Sequence, residues 1–219
     1  NNWVSATEAP NGANSGPVTI TAGTDVSISN ETIQIDELTI EGDLGISEGD
    51  LVVLDGPGTD LICTGSINFN TASIGINDGA LAIIGNNGLL STGNFGSITG
   101  PGTLEIAPTG TWIENTNHDS FDVSDLVINN HGTITINTVS NFNLNGTSVL
   151  NNYNSVLITS NVTIGTDGTG KINNSSDGNI TKQGFTEAFI DAPVEYVNNG
   201  VLSVTEGTLS VNSSTVTDN

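Results

Sequence analysis

The feature that most constrains this chain is an aliphatic residue that returns every 22 residues along its length. A fixed period between about 20 and 50 residues is typical of a stack of similar units, each packed on the next. The repeat therefore predicts one elongated repeat domain rather than separate globular domains. The positions on this spacing are Val18, Ile40, Ile62, Ile84, Ile106, Ile128, Leu150, Ile172, Val194 and Val216.

Each unit contains three short runs in which apolar and polar residues alternate, for example residues 104–106 and 134–136. Alternation is the period of a β-strand, and the abundant Val, Ile and Thr favour strands. Gly, Asn and Asp fill the segments between the runs, as expected for turns. Because no segment sustains the spacing of an amphipathic helix, the sequence predicts an all-β fold with three strands per unit.

These features predict a single-stranded parallel β-helix, or β-solenoid, of about nine coils of 22 residues. We favour the right-handed form, because left-handed hexapeptide helices use coils of about 18 residues with a stricter six-residue rhythm. Residues 1–17 are expected to form an N-terminal cap or lead-in, and residues 18–219 the β-helix. Coils are predicted to begin at 18, 40, 62, 84, 106, 128, 150, 172 and 194, with a partial coil from 216.

Several side chains are assigned to the core or to stacked rows by this spacing. Ile84, Ile106, Ile128 and Leu150 are expected to stack in one buried column. Trp112 shares its position in the unit with Leu90, Ile134 and Val156, so it should face the core. Stacked Asn amides hydrogen-bond along the axis of a β-stack, so the Asn rows predict structural ladders, with a row facing a sugar as the alternative. The rows are Asn129, Asn151 and Asn173, and beside them Asn130, Asn152 and Asn174, with Asn86 assigned to the second row.

The charge excludes two classes of partner. The chain carries 24 acidic residues against Lys171 and Lys182, a formal charge of −22. Nucleic acids and anionic membrane surfaces require clustered Lys and Arg, so neither is an expected partner. No apolar run approaches the roughly 18 residues that span a bilayer. Cys63 is the single cysteine, and we expect it to be a packed thiol rather than a reactive one.

Two groups of acids are candidates for chemistry. Hydrolases of this fold need two or three carboxylates on one face. The best local cluster falls in one irregular unit, so a solvated acidic loop is favoured and no enzymatic activity is expected. His131 lies at a turn position and is expected to be exposed. The cluster comprises Glu114, Asp119, Asp122 and Asp125, with His118 beside it.

The second group concerns metal binding. Six acids in the second unit offer the hard oxygen ligands that Ca²⁺ prefers. The sequence lacks the Gly-Gly-x-Gly-x-Asp nonapeptide of calcium-loaded rolls and lacks an EF-hand loop, so a general acidic surface is favoured. No cofactor is expected other than Ca²⁺ at these positions. The six are Glu41, Asp43, Glu48, Asp50, Asp55 and Asp60.

Recurring short phrases give the chain a family likeness. Residues 197–204 (VNNGVLSV) precede residues 206–211 (EGTLSV), and similar phrases occur at 84–89 (IGNNGL) and 38–42 (LTIEG). In these the chain resembles extracellular bacterial β-solenoid surface proteins, in particular strand-repeat regions of the adhesin and filamentous-haemagglutinin type. The likeness covers nearly the whole chain, but its motifs are compositional. It implies secretion and a surface or matrix role, and it implies no catalytic residue.

The expected function is therefore a non-catalytic extracellular structural or adhesive module, as a segment of a longer surface protein, stalk or fibre. The alternative is a carbohydrate-binding or carbohydrate-active β-helix. Ice binding is a third and weaker interpretation, because the Thr-x-Thr pairs at 19/21 and 133/135 do not fall in adjacent coils and so form no regular array. The expected partners are further copies of the chain or neighbouring repeats end to end, and surface polysaccharide.

Overall fold

The chain folds as an all-β parallel β-solenoid of about nine coils with three strands per coil, as the sequence predicts. The structure, a computed structural model, describes residues 17–116, 120–137, 141–191 and 193–213, and the backbone of 215–218. No helix occurs in these ranges. The predicted cap at residues 1–17 lies, apart from Pro17, outside the described residues.

The strands, numbered in chain order, form three parallel sheets in which each strand pairs with its counterparts in the adjacent coils. Sheet A contains β1 (Val18–Ile20), β4 (Leu38–Ile40), β7 (Leu61–Cys63), β10 (Leu81–Ile84), β13 (Thr103–Ile106), β16 (Val127–Asn130), β19 (Val149–Asn152), β22 (Lys171–Asn174), β25 (Glu195–Asn198) and β28 (Thr215–Asp218). Sheet B contains β2 (Asp25–Ser29), β5 (Asp43–Ser47), β8 (Ser66–Asn70), β11 (Leu89–Thr92), β14 (Thr111–Glu114), β17 (Thr133–Ile136), β20 (Ser155–Ile158), β23 (Asn179–Lys182) and β26 (Val201–Val204). Sheet C contains β3 (Thr32–Ile35), β6 (Asp50–Val53), β9 (Ser73–Ile76), β12 (Ser97–Thr99), β15 (Phe121–Ser124), β18 (Asn141–Asn145), β21 (Thr163–Gly165), β24 (Glu187–Asp191) and β27 (Thr208–Asn212).

The strand register shows that the spacing of the aliphatic repeat is a mean and not a constant. Val18 and Val216 occupy the same column of sheet A, nine coils apart, as an even spacing requires. Between them, however, the coil from Val18 to Leu38 is shorter than the mean, and the coil from Thr103 to Val127 is longer. The prediction of an even spacing without slip is therefore wrong. The turns accept extra residues, whereas the ladder hydrogen bonds hold the strands in register.

The uneven coils redistribute the aliphatic repeat over several columns. Ile84 and Ile106 stack on each other, whereas Ile128 and Leu150 stack in the neighbouring column. All four side chains are buried, but the prediction of a single column for them is wrong. Ile62 points outward, because its neighbour Cys63 takes the inward position.

Sheet A has two inward-facing columns, which we call its first and second inner columns. The first is apolar from end to end and includes Leu38, Leu104, Ile128 and Tyr196. The second changes character along the rod, from aliphatic side chains and a thiol to amides. Its members are Ile20, Ile40, Cys63, Ile84, Ile106, Asn130, Asn152, Asn174 and Asn198.

The corner between sheets A and B, the AB corner, has glycine directly before the sheet B strand in seven coils. A Cβ atom added at Gly65 would lie 2.0 Å from the carbonyl oxygen of Gly42, and one added at Gly132 would lie 2.3 Å from that of Gly110. Successive coils therefore approach too closely here for any side chain. The sequence pattern by itself predicts these glycines only as ordinary turn residues. They are Gly42, Gly65, Gly88, Gly110, Gly132, Gly178 and Gly200.

Aromatic rings pack together in the core between sheets B and C. Trp112 is fully buried and stacks between Leu90 and Ile134, which confirms its predicted inward position. Its ring centroid lies 5.8 Å from those of Phe121 and Phe142. Such edge and tilted contacts add to the apolar burial, so this cluster fixes the spacing of the two sheets at mid-rod.

Candidate functional site

The six acids proposed for Ca²⁺ are distributed around the circumference of the rod. Asp43 lies on the outer face of sheet B and Asp50 on that of sheet C, and both accept hydrogen bonds from serine hydroxyls of the next coil. Within the described ranges, no three acidic, histidine or cysteine side chains come together as metal ligands. The others are Glu41 at the AB corner, Glu48 at the corner between sheets B and C (the BC corner), and Asp55 and Asp60 at the corner between sheets C and A (the CA corner).

Asp60 differs from the other five because it is buried, with only 1% of its surface exposed. Its two carboxylate oxygens accept hydrogen bonds from the backbone N–H groups of Gly56 (2.8 Å) and Leu81 (2.7 Å). The carboxylate thus joins the turn of one coil to the first residue of the β10 strand in the next. This arrangement gives Asp60 a structural role in holding the CA corner.

The carboxylates proposed for hydrolysis are also separated. Glu114 is buried and faces inward at the end of β14, where it accepts a hydrogen bond of 2.8 Å from the Thr116 N–H. Asp122 points outward from sheet C and accepts a hydrogen bond of 2.8 Å from Asn143 Nδ2. Asp125 lies at the CA corner and accepts hydrogen bonds from Thr147. His118 and Asp119 lie outside the described residues.

The Asn rows form the predicted ladders. On the inner side, Asn130 Nδ2 donates to Asn152 Oδ1, and Asn152 Nδ2 donates to Asn174 Oδ1, each at 2.8 Å. Asn198 is a fourth member of the inner ladder, which the 22-residue spacing does not predict because the step from Asn174 to Asn198 is longer than the repeat. Asn86 was wrongly assigned to this row, since it lies in an exposed turn and accepts a hydrogen bond from Thr109.

The outer ladder has the opposite direction. Asn173 Nδ2 donates to Asn151 Oδ1 at 2.8 Å, and Asn151 Nδ2 donates to Asn129 Oδ1 at 3.0 Å. The inner amides therefore donate toward the C-terminal end of the rod and the outer amides toward the N-terminal end. Because the two rows of amide dipoles oppose each other, the ladders bind the coils together without building a net field along the sheet.

Sheet B carries two ionisable residues in its inner column. Glu114 and Lys182 stand in the same column, three coils apart, at the last residue of their strands. Lys182 Nζ donates to the carbonyl oxygens of Gln183 and Gly184 and to the Thr186 hydroxyl. Burial lowers the pKa of Lys182 from its usual value, and the nearby carboxylate of Glu206 acts in the opposite direction.

Two further residues singled out by the sequence can be placed. Cys63 is fully buried, as predicted for a packed thiol, and desolvation raises its pKa from 9.0 to about 12. His131 is half-buried rather than exposed. Its ring stacks on that of Tyr153 in the next coil, with centroids 4.6 Å apart and planes inclined by 6°.

A groove of about 370 Å³ crosses the outer face of sheet B from the first coil to the fifth. We call it the sheet B groove. Its side chains include no charged group, and its depth comes from Gly45 and Gly93, which leave the backbone uncovered. The polar residues that line it are Ser27, Ser47, Asn68, Asn70, Ser91, Thr92 and Asn115, of which Thr92 is buried.

The BC corner beside this groove carries exposed aromatic and backbone-strained residues. Phe95 is 64% exposed and Phe185, four coils further on, is 88% exposed. Phe95 has a left-handed backbone with φ of 55°, as does Thr71 in the preceding coil. Such a backbone is unfavourable for bulky or β-branched residues. Phe95 closely follows Gly93, which lines the groove, so Phe95 belongs to the corner at the edge of the groove.

The last coil shows a second kind of surface. Leu202 and Val204 continue the inward columns of sheet B, yet they are 36% and 48% exposed. The corresponding residues of the first coil, Val26 and Ile28, are 9% and 6% exposed. The C-terminal end of the described solenoid thus presents apolar inward side chains to solvent, next to the outer edge of β26.

In comparisons with known proteins, no family model matches the chain, and no match was found among curated protein sequences or solved structures. The described residues include no helix with the length and hydropathy that a membrane span requires.

Proposed function

We propose that this chain is a non-catalytic structural and adhesive module of an extracellular surface protein, in which solenoid coils continue end to end. The observation that carries the proposal is the open C-terminal coil. Leu202 and Val204 are substantially exposed, whereas their neighbours in the same columns, Ile180 and Lys182, are 2% and 0% exposed. Within the described residues β26 ends sheet B, and an end that combines an open strand edge with apolar surface is stabilised when another coil covers it.

The fitting partner is a further solenoid coil, supplied by a neighbouring repeat or by another copy of the chain. Every interior coil already has two such neighbours, which pair with its strands and cover its inward side chains. A coil added at β26 and β27 would extend the backbone ladders of sheets B and C. It would also bury Leu202 and Val204 as the preceding coils bury their equivalents.

The separation of the carboxylates supports a non-catalytic role. Glu114 faces the core, Asp122 faces outward from sheet C, and Asp125 lies at a corner. A glycosidic bond would have to lie between two carboxyl groups on one face, and these three do not share one.

A role outside the cell is supported by the way the basic residues are protected. Lys171 is half-buried in an ion pair of 2.8 Å with Glu195, and Lys182 is fully buried. Trypsin-like proteases require an accessible Lys or Arg in an extended segment that can leave the fold. Because the two lysines lie within paired strands, we expect the folded rod to resist such proteases.

Sedimentation velocity over a range of concentrations tests the proposal. We expect the unmodified chain to associate into longer particles, and the double variant Leu202→Glu/Val204→Glu to remain monomeric. The matched control is the double variant Phe95→Glu/Phe185→Glu, which adds the same two charges at apolar residues on the side of the rod, 64% and 88% exposed. The proposal fails if the unmodified chain is monomeric at high concentration, or if the control loses association as completely as the end variant.

A further inference from the structure

We infer that the sheet B groove binds a linear, uncharged polysaccharide along the axis of the rod. The inference supplies a ligand for the adhesive part of the proposed function and rests on that part alone. End-to-end association could occur without it. The groove is a shallow, open depression of about 370 Å³ on the outer face of the sheet.

The chemistry of the lining selects the class of ligand. Three serine hydroxyls and three asparagine amides line the groove, and both groups donate as well as accept hydrogen bonds. Sugar hydroxyls have the same dual character, so each can pair with such a lining in more than one orientation. The exposed polar residues among them are Ser27, Ser47, Asn68, Asn70 and Asn115.

The charge of the site excludes acidic polysaccharides. No charged side chain lines the groove, whereas Asp25 and Asp43 stand on the same outer face, at the start of the strands that carry the groove residues Ser27 and Gly45. Uronates and sulfated sugars would approach these carboxylates, and the net charge of −22, without a compensating cation. An uncharged chain avoids this repulsion.

The direction of the groove favours a glycan over an extended peptide. The groove crosses the strands of sheet B, from Ser27 in β2 to Asn115 after β14. A peptide that adds to a sheet must lie parallel to the strands at an edge, where backbone groups are unpaired. Here the coils repeat about every 4.8 Å along the groove, which is close to the advance of one hexose in an extended chain.

Phe95 provides a flat apolar surface beside the groove. Its ring is 64% exposed and its φ is 55°, a backbone conformation that costs free energy for a large side chain. Aromatic rings contact the C–H faces of sugars while the equatorial hydroxyls form hydrogen bonds elsewhere. Phe95 is therefore positioned to stack against a sugar that leaves the groove at the BC corner.

Gly45 allows a direct test because a side chain there would fill the groove without straining the fold. A Cβ atom at Gly45 would lie 3.8 Å from Ser27 Oγ and 3.9 Å from the Val26 carbonyl oxygen, which are ordinary contacts. Gly75, on the outer face of sheet C, offers the same freedom, with its nearest neighbour Val52 Cγ2 at 3.7 Å. Gly45→Gln and Gly75→Gln are thus a matched pair, and both should melt like the unmodified chain.

The experiment is affinity electrophoresis of the 219-residue chain in gels that contain laminarin, galactomannan, mixed-linkage β-glucan, alginate or polygalacturonate. We expect retardation by at least one neutral polymer and by neither acidic polymer. Gly45→Gln should weaken the association at least tenfold, and Gly75→Gln should not change it. Phe95→Gly should weaken it several-fold, and Phe185→Gly, at the same corner but four coils beyond Phe95, should leave it unchanged.

Three results would overturn the inference: retardation by no neutral polymer, equal or stronger binding of the acidic ones, or unchanged binding by Gly45→Gln. Its failure is distinguishable from failure of the end-to-end proposal, which is measured by sedimentation without any glycan. A folded Gly45→Gln variant that still associates end to end but no longer binds glycan would separate the two functions.

Discussion

Between Ile20 and Ile106 the second inner column of sheet A consists of aliphatic side chains and the Cys63 thiol. Between Asn130 and Asn198 the same column consists of asparagine amides. We call these the apolar half and the amide half of the column. Both halves are buried to a similar degree, and both belong to the same parallel ladder. The backbone therefore accepts either kind of column at this place, provided that the amides have partners.

The two halves differ in what holds neighbouring coils together. In the apolar half the contacts are non-directional, so a side chain of similar volume can replace another. In the amide half the Nδ2 groups of Asn130, Asn152 and Asn174 each donate to the next coil at 2.8 Å. They also reach the backbone there, as Asn130 does with the Ser155 carbonyl oxygen. Removing one amide leaves buried polar groups unpaired on both sides, so this half should tolerate substitution less well.

The largest loss of stability is expected from Ile128→Asp in the first inner column. This column is apolar along the whole rod, so it provides a reference for both halves of the second inner column. The substitution places an unpaired carboxylate between Leu104 and Leu150, and it should lower the free energy of unfolding by about 4 kcal/mol or more. Urea unfolding followed by circular dichroism measures the change. Leu157→Asp, on the outer face of sheet B, should cost much less, and equal losses would mean that Ile128 does not face a dry core.

Asn152→Leu tests the amide half directly. It breaks the bonds that Asn152 makes with Asn130 and Asn174, and it should cost about 3–5 kcal/mol because several buried groups lose a partner. The control in the apolar half is Ile84→Leu, for which we expect less than about 1.5 kcal/mol. If the two substitutions cost the same in urea unfolding, the proposed difference between the halves is wrong.

The boundary between the halves can be moved by one coil. Ile106→Asn places an amide directly before Asn130, whose Oδ1 can accept a second hydrogen bond beside that from Gly132 N–H. Ile84→Asn places the same amide between Cys63 and Ile106, where no polar side chain stands in the column. We expect Ile106→Asn to lower the free energy of unfolding by about 1 kcal/mol less than Ile84→Asn does, which is the contribution of one hydrogen bond. If Ile106→Asn were the more destabilising of the two, hydrogen bonding within the ladder would not explain why the column accepts amides.

The smallest change in stability at neutral pH is expected from Cys63→Val. This substitution removes the one ionisable side chain in the apolar half of the column. Burial raises the pKa of the thiol from 9.0 to about 12, so the folded chain keeps a proton that the unfolded chain releases in this range. The contribution of Cys63 to stability is therefore complete below pH 9 and is lost as the pH rises toward 12, with a slope of up to about 1.4 kcal/mol per pH unit.

The measurement compares urea unfolding of the unmodified chain and Cys63→Val at pH 8 and pH 10.5. At pH 8 the two should be similar, since the volume is nearly conserved, and at pH 10.5 the variant should be the more stable. The difference between the two proteins isolates Cys63, because every other ionisable group is common to both. An unchanged difference at the two pH values would show that the thiol is accessible to solvent.

Part of the candidate site could be predicted from the sequence and part could not. The Asn ladders and the inward position of Trp112 follow from the 22-residue spacing, which the strand register keeps in those coils. The sheet B groove was not predicted, because its depth depends on small residues in two outward columns of successive coils. The inward positions of Glu114 and Lys182 follow from alternation within their strands, but only once the strand ends are known.

The sequence by itself determined the kind of fold, the number of coils and their mean length. These properties depend on the summed length of many coils. Shorter and longer coils compensate for one another in that sum, so Val18 and Val216 share a column nine coils apart. Only the tertiary structure decided which residue of each coil faces inward. A turn that gains one residue exchanges the two faces of the next strand, as at Ile62 and Cys63. A turn that gains two residues moves the repeat to the adjacent column, as between Ile106 and Ile128. The ladder hydrogen bonds and the packing of inward side chains fix that choice, and neither depends on residues near in sequence.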